Sequence, residues 1–285
     1  MTRVGFLLKR GKPEAVEIGA ALIDDLVSAG ATATILEESA GLHPKARVVT
    51  PAELGAAIDV LVVLGGDGTF LAGAGLVADH GVPLLGVNLG GLGFLTHYAL
   101  GEAREAVLAA ALGRLPVYEL MRLRVDVRGT DGRVLENRQA LNEAAITQRS
   151  IARLVDLSAE LDGAAISRYR ADGLIVSTPT GSTAYNLAAG GPILTPDLEA
   201  IVLTPICPHT LTNRPVVMRP DARIVVSNRG ANSATLTIDG QWSRELLPGE
   251  AIEVRRADRP LRTFRPRSPF FVILRQKLAW GERAG

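Results

Sequence analysis

Residues 65–69 read Gly65-Gly66-Asp67-Gly68-Thr69 and follow the apolar run Val60-Leu61-Val62-Val63-Leu64. A short, branched, apolar run bounded by glycines predicts a buried strand. The glycines after it let backbone N–H groups turn toward a ligand, because no Cβ blocks a close approach. A carboxylate in the middle of such a turn is a poor choice for simply holding phosphate, since like charges repel. It suits a group that takes a proton from a hydroxyl while the loop holds phosphates, so the chemistry indicated is phosphoryl transfer. The competing reading is an ordinary strand-to-helix turn with Asp67 as a helix cap. The loop is not a P-loop, because no Gly-Lys-Ser/Thr follows. It is not the dinucleotide Gly-x-Gly-x-x-Gly either, since Asp67 and Thr69 break that pattern.

A second constellation runs from Ala171-Asp172-Gly173 through Ser177-Thr178-Pro179-Thr180-Gly181-Ser182-Thr183-Ala184-Tyr185-Asn186. A strand enters a loop dense in hydroxyls and glycine, and a helix start follows. Hydroxyls and free N–H groups at such a place favour anions and polar ligands. Tyr185 offers a flat face to an adenine ring, and Asn186 offers both a donor and an acceptor. A Ser/Thr-rich capping turn with Tyr185 in the core is the alternative. The third constellation, Asn142-Glu143, is an acid–amide pair in an apolar strand. Neighbouring strand residues point to opposite faces, so the two can share a ligand only at a bulge or strand end.

The elements that must position these residues change character along the chain. Over the first ~110 residues, strand-like segments (4–8, 32–36, 59–64, 83–87) alternate with helix-like ones (13–29, 69–79, 102–112), the spacing of βαβ units. After Pro116 the pattern becomes antiparallel. Residues 121–128 alternate apolar and charged, and 223–227, 234–238 and 251–254 read as further strands. Asp131-Gly132, Asp162-Gly163 and Asp239-Gly240 are hairpin-turn candidates, and one helix over about 182–189 interrupts the strands. The expected fold class is α/β + β, with a Rossmann-like N-terminal α/β domain (1–115) and a β-rich, β-sandwich-like C-terminal domain (116–262). A C-terminal segment (263–285) is expected to pack back on the first domain.

Composition excludes several classes. The 285 residues are 47% hydrophobic with a formal net charge of +1, which gives no basic footprint for nucleic acid. The mean hydropathy of +0.20 comes from scattered Ala, Val and Leu. No stretch approaches the ~18 consecutive apolar residues of a membrane helix, and the N-terminal apolar run is too short for a signal peptide. The single cysteine, Cys207, fits a reducing compartment and reads as a small core residue. A cytoplasmic protein without a membrane partner is expected. His43, His80 and His97 lack metal-ligand spacing and read as structural or surface residues, and His209 as structural.

Taken together, these residues strongly resemble the NAD kinase family. Gly65-Gly66-Asp67-Gly68-Thr69, Asn142-Glu143, Thr183-Ala184-Tyr185-Asn186, Gly190-Gly191-Pro192 and Asp239-Gly240-Gln241 occur in the family's order. So does the segment from Pro205-Ile206-Cys207-Pro208 to Arg214-Pro215, and the match spans roughly residues 60–245. The glycine loop alone is shared with diacylglycerol-kinase-like enzymes and phosphofructokinases. The resemblance implies transfer of the γ-phosphoryl group of ATP to the adenosine-ribose 2′-hydroxyl of NAD, giving NADP. It implies that Asp67 accepts the hydroxyl proton and that Gly65, Gly66, Gly68 and Thr69 form the phosphate-binding turn, with Asp67 and Gly68 also facing NAD. Asn142 and Glu143 resemble ligands of the adenosine ribose or adjacent groups. Thr183, Ala184, Tyr185, Asn186, Leu187 and Ala188 resemble the NAD site. Asp172 resembles the contact to the dinucleotide's other half, with a neighbouring subunit left open as its source. Arg153, Arg170 and Gln241 stand at family ligand positions, although Arg170 also reads as a solvated strand charge.

The chain departs from many relatives at Gly91, where they carry a basic or polar residue. Phe94 reads equally as core or as a neighbour of adenine. Mg²⁺ or another divalent cation is expected through the ATP phosphates, with no metal-ligating residue named. A homodimer or homotetramer is implied. ATP against polyphosphate as donor, NADH as acceptor and inhibition by NADPH stay open. A lipid or sugar kinase and a non-catalytic NAD or NADP sensor are the other readings. A comparison of NAD with diacylglycerol as substrate separates the first, and ATP-dependent product formation the second.

Overall fold

The computed structural model describes residues 1–91, 93–149, 154–210 and 212–278. The chain divides into two compact units, Met1–Glu119 together with the segment from Leu261 onward, and Leu120–Pro260.

The first unit is built on one sheet. Its strands lie in the order Arg47–Val49, Thr32–Leu36, Arg3–Leu8, Val60–Leu64, Leu84–Asn88, Leu261–Phe264, Val117–Leu120, with Tyr98–Ala99 also pairing Leu84–Asn88. The five strands from Arg47–Val49 to Leu84–Asn88 are all parallel to their neighbours. A parallel sheet covered on both faces needs continuous apolar strands, and Val60–Leu64 is buried at every position. The chain first winds outward from Arg3–Leu8 and then returns to its other side at Val60–Leu64. That reversal is the switch point at which open α/β sheets bind ligands beyond the carboxyl ends of their strands.

Helices Pro13–Ser28, Asp67–Val77 and Ala103–Ala111 fall where apolar spacing predicts them. Proline begins the first of these, where its missing N–H costs nothing. The helix Pro51–Ala57 was not anticipated, although Thr50 and Glu53 form a reciprocal capping box at its start.

The second unit has two six-stranded antiparallel sheets. One runs Val216–Met218, Ile201–Ile206, Gly173–Ser177, Glu143–Gln148, Ala234–Ile238, Trp242–Leu246. The other runs Ala164–Ala171, Val155–Leu161, Ile224–Asn228, Ala251–Arg256, Leu123–Arg128, Val134–Ala140. Both contribute to one apolar core, Ile146, Leu174 and Leu203 from the first and Val125, Leu157 and Ile252 from the second. Asp162 and Gly163 both have positive φ, as do Asp239 and Gly240, the conformation that tight hairpins require.

The expected helix over 182–189 is broken. A 3₁₀ turn at Thr180–Thr183 and a single α turn at Tyr185–Ala188 are separated by Ala184, whose φ of −98° and ψ of −130° lie outside helical values. Cys207, read as a core residue, is instead exposed at a φ of 44°, just beyond the strand Ile201–Ile206.

Candidate functional site

In the first unit, the chain leaves the buried strand at Leu64 and enters helix Asp67–Val77, with Asp67 in the first turn. An anion in that position is favoured by the helix dipole. The Asp67 carboxylate is also held by a loop. Its Oδ1 accepts from the Leu95 amide at 3.0 Å and from the Thr96 amide and hydroxyl, both at 3.1 Å. Its Oδ2 accepts one bond, from the Phe94 amide at 2.9 Å. A carboxylate offers about four acceptor positions, so Oδ2 keeps capacity for a hydroxyl.

Asn88 supports the arrangement by donating to the Thr96 hydroxyl at 2.7 Å and accepting from the Gly90 amide at 2.8 Å. Gly93 must be glycine, because a Cβ there would collide with Asp67 Oδ1 and Thr96 Oγ1. Gly65 is similar, its Cβ position lying 2.8 Å from Thr69 Cβ. Gly66 and Gly68 differ. A Cβ on either would meet nothing within 4 Å, so these two leave open space beside the carboxylate.

His97 was read as structural or surface, and it adjoins this cluster. Burial pushes its pKa down to about 4 against the opposing pull of the Asp67 charge, and Nδ1 has no hydrogen-bond partner. Phe94 packs its ring against Phe270 at a centroid distance of 6.5 Å.

In the second unit, Asn142 immediately precedes the strand Glu143–Gln148, so the pair lies at a strand end. The corner is clamped from two directions. Asp239 accepts from the amides of Leu141, Asn142 and Glu143 at 2.7, 2.8 and 3.0 Å. The hydroxyl-rich loop donates to the carbonyls. Thr178 Oγ1 reaches Leu141 at 2.5 Å, and the Thr178 amide and Ser177 Oγ reach Asn142 at 2.9 and 3.2 Å. Gly181 is packed so closely that its Cβ position lies 2.7 Å from Asn142 Cα.

Glu143 is 7% exposed, and its Oε2 has no hydrogen-bond partner. Burial, with the Asp239 charge adding to it, raises its pKa to about 8. Burial therefore favours the protonated carboxyl, which can both donate and accept. Asp239 is also pushed up by burial, but its three amide bonds and Arg122 favour the ionised form. Of the two acids, Asp239 is the one provided for as an anion. The Thr180 hydroxyl is likewise buried without a partner.

Tyr185 is 40% exposed. Its pKa is raised by burial first, then by the charges of Cys207, Asp172 and Glu143, which brings Asp172, Glu143 and the tyrosine into one electrostatic neighbourhood. Thr183, Ala184 and Leu187 are half-buried and Ala188 is exposed. Asn186 differs from these. It is fully buried, and its amide is spent on Ser182 and Pro192 carbonyls at 3.2 and 3.1 Å and on the Thr204 hydroxyl at 2.6 Å. Its side chain shapes the loop from inside. Arg170 is exposed on Ala164–Ala171, Gln241 is exposed in the turn after Asp239, and Arg153 lies outside the described residues.

Asp239 is the residue that sequence reasoning undervalued. The signal is its place in Asp239-Gly240-Gln241, which reads as a hairpin turn and as a family motif, with Gln241 rather than Asp239 singled out as a site residue.

The family model for the ATP-NAD kinase N-terminal domain matches residues 4–113, and that for the C-terminal domain matches residues 141–265. The NAD kinase of Citrifermentans bemidjiense is 43% identical over 292 aligned positions, covering 99% of this chain and 100% of that protein. The chain belongs to the NAD kinase family. The NAD kinase of Geobacter metallireducens is 47% identical over 237 positions, 82% of this chain and 83% of that protein. Among solved structures, yeast NADH kinase complexed with NADH superposes with a TM-score of 0.91 at 25% identity, covering 99% of this chain and 89% of that one. An NAD kinase from Archaeoglobus fulgidus in complex with ATP gives a TM-score of 0.75 at 27% identity, covering 96% and 98%.

For this NAD kinase family chain, Asp239 yields a direct test. Asp239→Ala leaves three amides without their acceptor, which costs on the order of 3 kcal/mol. The expected result is a lower thermal midpoint together with a raised KM for NAD. A milder Asp239→Asn, which keeps one oxygen, should recover part of both. An unchanged KM in Asp239→Ala would show that the corner does not position a substrate.

Proposed function

We propose that Asp67 accepts the proton in the reaction of this chain, the phosphorylation of NAD to NADP (EC 2.7.1.23). The γ-phosphoryl of ATP passes to the 2′-hydroxyl of the adenosine ribose. A bond forms from that oxygen to the γ-phosphorus, the bond to the β,γ-bridging oxygen breaks, and ADP leaves. Such a transfer asks chiefly for in-line placement and for stabilisation of charge on the transferring oxygens. The observation that carries the assignment is the open space over Gly66 and Gly68 beside a carboxylate oxygen with spare acceptor capacity. Phosphates can approach the amides of Gly66 and Gly68 there, while Oδ2 receives the hydroxyl proton. Gly65 and Thr69, expected in the same turn, spend their amides on the Val87 and Gly66 carbonyls, both at 3.0 Å, and shape it instead.

The second unit supplies dinucleotide recognition in this reading. Asn142, Glu143 and Asp172 meet ribose hydroxyls and amide groups, and Tyr185 gives its exposed ring face to a base. Thr183, Ala184, Leu187 and Ala188 line the same loop, and Asn186 holds it. Arg170 and Gln241 are assigned to NAD with support from the family resemblance alone.

Among the described residues no group of three or more His, Cys, Asp or Glu is placed to hold a metal ion. A magnesium ion would be held chiefly through the nucleotide phosphates, since it keeps most of its waters and takes few protein ligands. When bound, it would neutralise phosphate charge. Among the described residues no helix is long and apolar enough to cross a membrane. Separately, the single free cysteine, Cys207, supports a reducing compartment, and we place the protein in the cytoplasm. Strand Val216–Met218 ends one sheet of the second unit with Val216 and Val217 exposed. That edge supports assembly into a homodimer or homotetramer, and sedimentation velocity giving a monomer mass at micromolar concentration would refute it.

The deciding experiment supplies NAD, ATP and Mg²⁺ and measures NADP with an NADP-specific dehydrogenase. Product dependent on both substrates supports the assignment. A folded protein that binds NAD and forms no NADP would leave only the sensor reading or a different donor.

A further inference from the structure

The carboxylate of Asp67 is fixed unevenly. Its Oδ1 accepts from three donors, the Leu95 and Thr96 amides and the Thr96 hydroxyl. Oδ2, the oxygen assigned the hydroxyl proton, accepts among the described residues from the Phe94 amide alone. Phe94 is half-buried, and its ring meets that of Phe270 at the start of the C-terminal helix Phe270–Leu278. We propose that Phe270 is a positioning residue for the transfer, holding Phe94 so that its amide stays on Oδ2 of Asp67. The proposal rests on the Asp67 reading above and extends it to what sets the direction of that oxygen.

The helix reaches this loop from the far end of the chain. In strand Leu261–Phe264, Thr263 pairs with Leu84, and its hydroxyl donates to the Leu84 carbonyl at 2.9 Å. The Arg265 amide then donates to the Pro116 carbonyl at 2.9 Å, and the Arg265 carbonyl accepts from the Tyr98 hydroxyl at 3.0 Å. Tyr98 is buried and follows Thr96 closely in the chain, so this bond ties one end of the Asp67 loop to the segment that leads into the helix. Pro269 stands just before the helix, where its carbonyl accepts from the Val272 and Ile273 amides at 2.9 and 3.3 Å. Ile273 and Leu274 are buried. The helix is seated by these bonds and side chains, so Phe270 serves as a fixed surface for Phe94 rather than the reverse.

Magnitude decides which tie matters. Arg267 pairs with Glu102 at 3.1 Å and with Glu105 at 2.8 Å, but ion pairs as open to solvent as these contribute little. Tyr98 holds the loop at one end only. Near the other end, the Phe94 and Phe270 rings lie 6.5 Å apart at 45°, inside the span of about 4.5–7 Å over which aromatic pairs attract. Phe271 meets Phe270 edge-on at 5.4 Å, which limits how far the Phe270 ring can turn. Gly93, beside Phe94, has no side chain to hold the backbone, because a Cβ there would strike Asp67. The Phe94 ring is therefore the part of this turn that packing can grip.

The test uses the full-length protein with Phe270→Ala, Phe270→Leu, Phe270→Tyr and Leu274→Ala, and joins each of the first two to Asp67→Asn. Thermal midpoints are recorded beside kcat and the KM for NAD and for ATP. Phe270→Ala should lower kcat by about tenfold, part of the roughly hundredfold that a misplacement of about 1 Å can cost, with smaller changes in either KM. Phe270→Leu removes the ring and keeps apolar bulk. It should lose kcat in the same direction, and it takes the place of the alanine variant if that one does not fold. Phe270→Tyr keeps the ring and should recover most of kcat. Leu274→Ala removes a fully buried side chain from the same helix and should lower the thermal midpoint while kcat holds. Because Phe270 acts through Asp67, loss of its ring should cost less than about twofold more in the Asp67→Asn background. Three results overturn the positioning role and leave the Asp67 reading standing: kcat within about twofold of wild type without the ring, an equal kcat loss in Leu274→Ala, or the full loss added on top of Asp67→Asn. Asp67→Asn with activity within about tenfold of wild type overturns that reading, and the positioning role with it.

Discussion

Asp67→Asn is expected to lower kcat for NADP formation by about 10²–10⁴-fold, the span usual for loss of a positioned proton acceptor, while the KM for NAD changes little. An interaction that strengthens only as the 2′-oxygen attacks phosphorus is lost from kcat and not from ground-state binding. The structure adds a complication, because the same carboxylate anchors the amides of Phe94, Leu95 and Thr96. Asn retains one oxygen acceptor but turns an N–H₂ toward those donors, so loop disorder could mimic a chemical loss.

Two further variants separate the causes. Thr96→Val removes one hydroxyl donor to Asp67 and the acceptor of the buried Asn88 amide, at some cost in stability, and leaves the carboxylate. Gly93→Ala forces the loop and the carboxylate apart, again with the acid intact. If proton acceptance dominates, Thr96→Val stays near wild type, and Gly93→Ala loses stability before it matches the loss in Asp67→Asn. Activity of Asp67→Asn within tenfold of wild type would remove the residue from the proton-transfer step.

Glu143→Gln is expected to be more stable than the wild type in alkaline solution. The folded-state pKa of Glu143 is raised to about 8 from an ordinary value of 4.5, by burial first and the Asp239 charge second. A raised carboxyl keeps its proton in the fold while the unfolded chain releases it. The stability tied to that proton is complete below about pH 4.5, declines through the window between the two values, and is gone above about pH 8. Each unit of pKa difference corresponds to about 1.4 kcal/mol, so the loss across the window is on the order of a few kcal/mol. Glutamine, which does not ionise, lacks this slope. Thermal midpoints of the two proteins should converge near pH 5 and separate by about 5 °C or more at pH 9. Parallel curves across that range would mean that Glu143 is ionised in the fold.

In the same site, Glu143→Ala should raise the Kd for NAD by about tenfold, since a ligand hydroxyl would lose a buried partner. Glu143→Gln, keeping a donor and an acceptor, should raise it less.

Both the parallel sheet and the glycine loop were readable because they obey local rules. Val60–Leu64 is uniformly apolar, and the turn after it contains glycines that no sterics of the chain require at Gly66 and Gly68. Alternation in 123–128 and the Asp-Gly turns likewise reported the antiparallel half. What escaped depends on contacts distant in sequence. The Asp239 clamp joins residues 97 positions apart at Asn142, and an Asp-Gly pair in a hairpin gives no local sign of it. The break at Ala184 is similar, since the alanine-rich stretch favours a helix and the buried amide of Asn186 ties the loop to residues further along. His97 reads as structural or surface from the sequence and is largely buried, but nothing local in the sequence shows that it lies beside Asp67.

Strand Leu261–Phe264 lies inside the sheet of the first unit, between Leu84–Asn88 and Val117–Leu120. A growing chain therefore cannot complete that sheet when residue 119 leaves the ribosome. It must wait for roughly 140 further residues, Leu120–Pro260, or about seven to thirty seconds at ordinary synthesis rates. Throughout that interval the edge at Leu84, where Thr263 will pair, is open, although Tyr98–Ala99 already pairs Val87 and Asn88, so nascent chains arrested before residue 261 should be the protease-sensitive, chaperone-bound form of this protein.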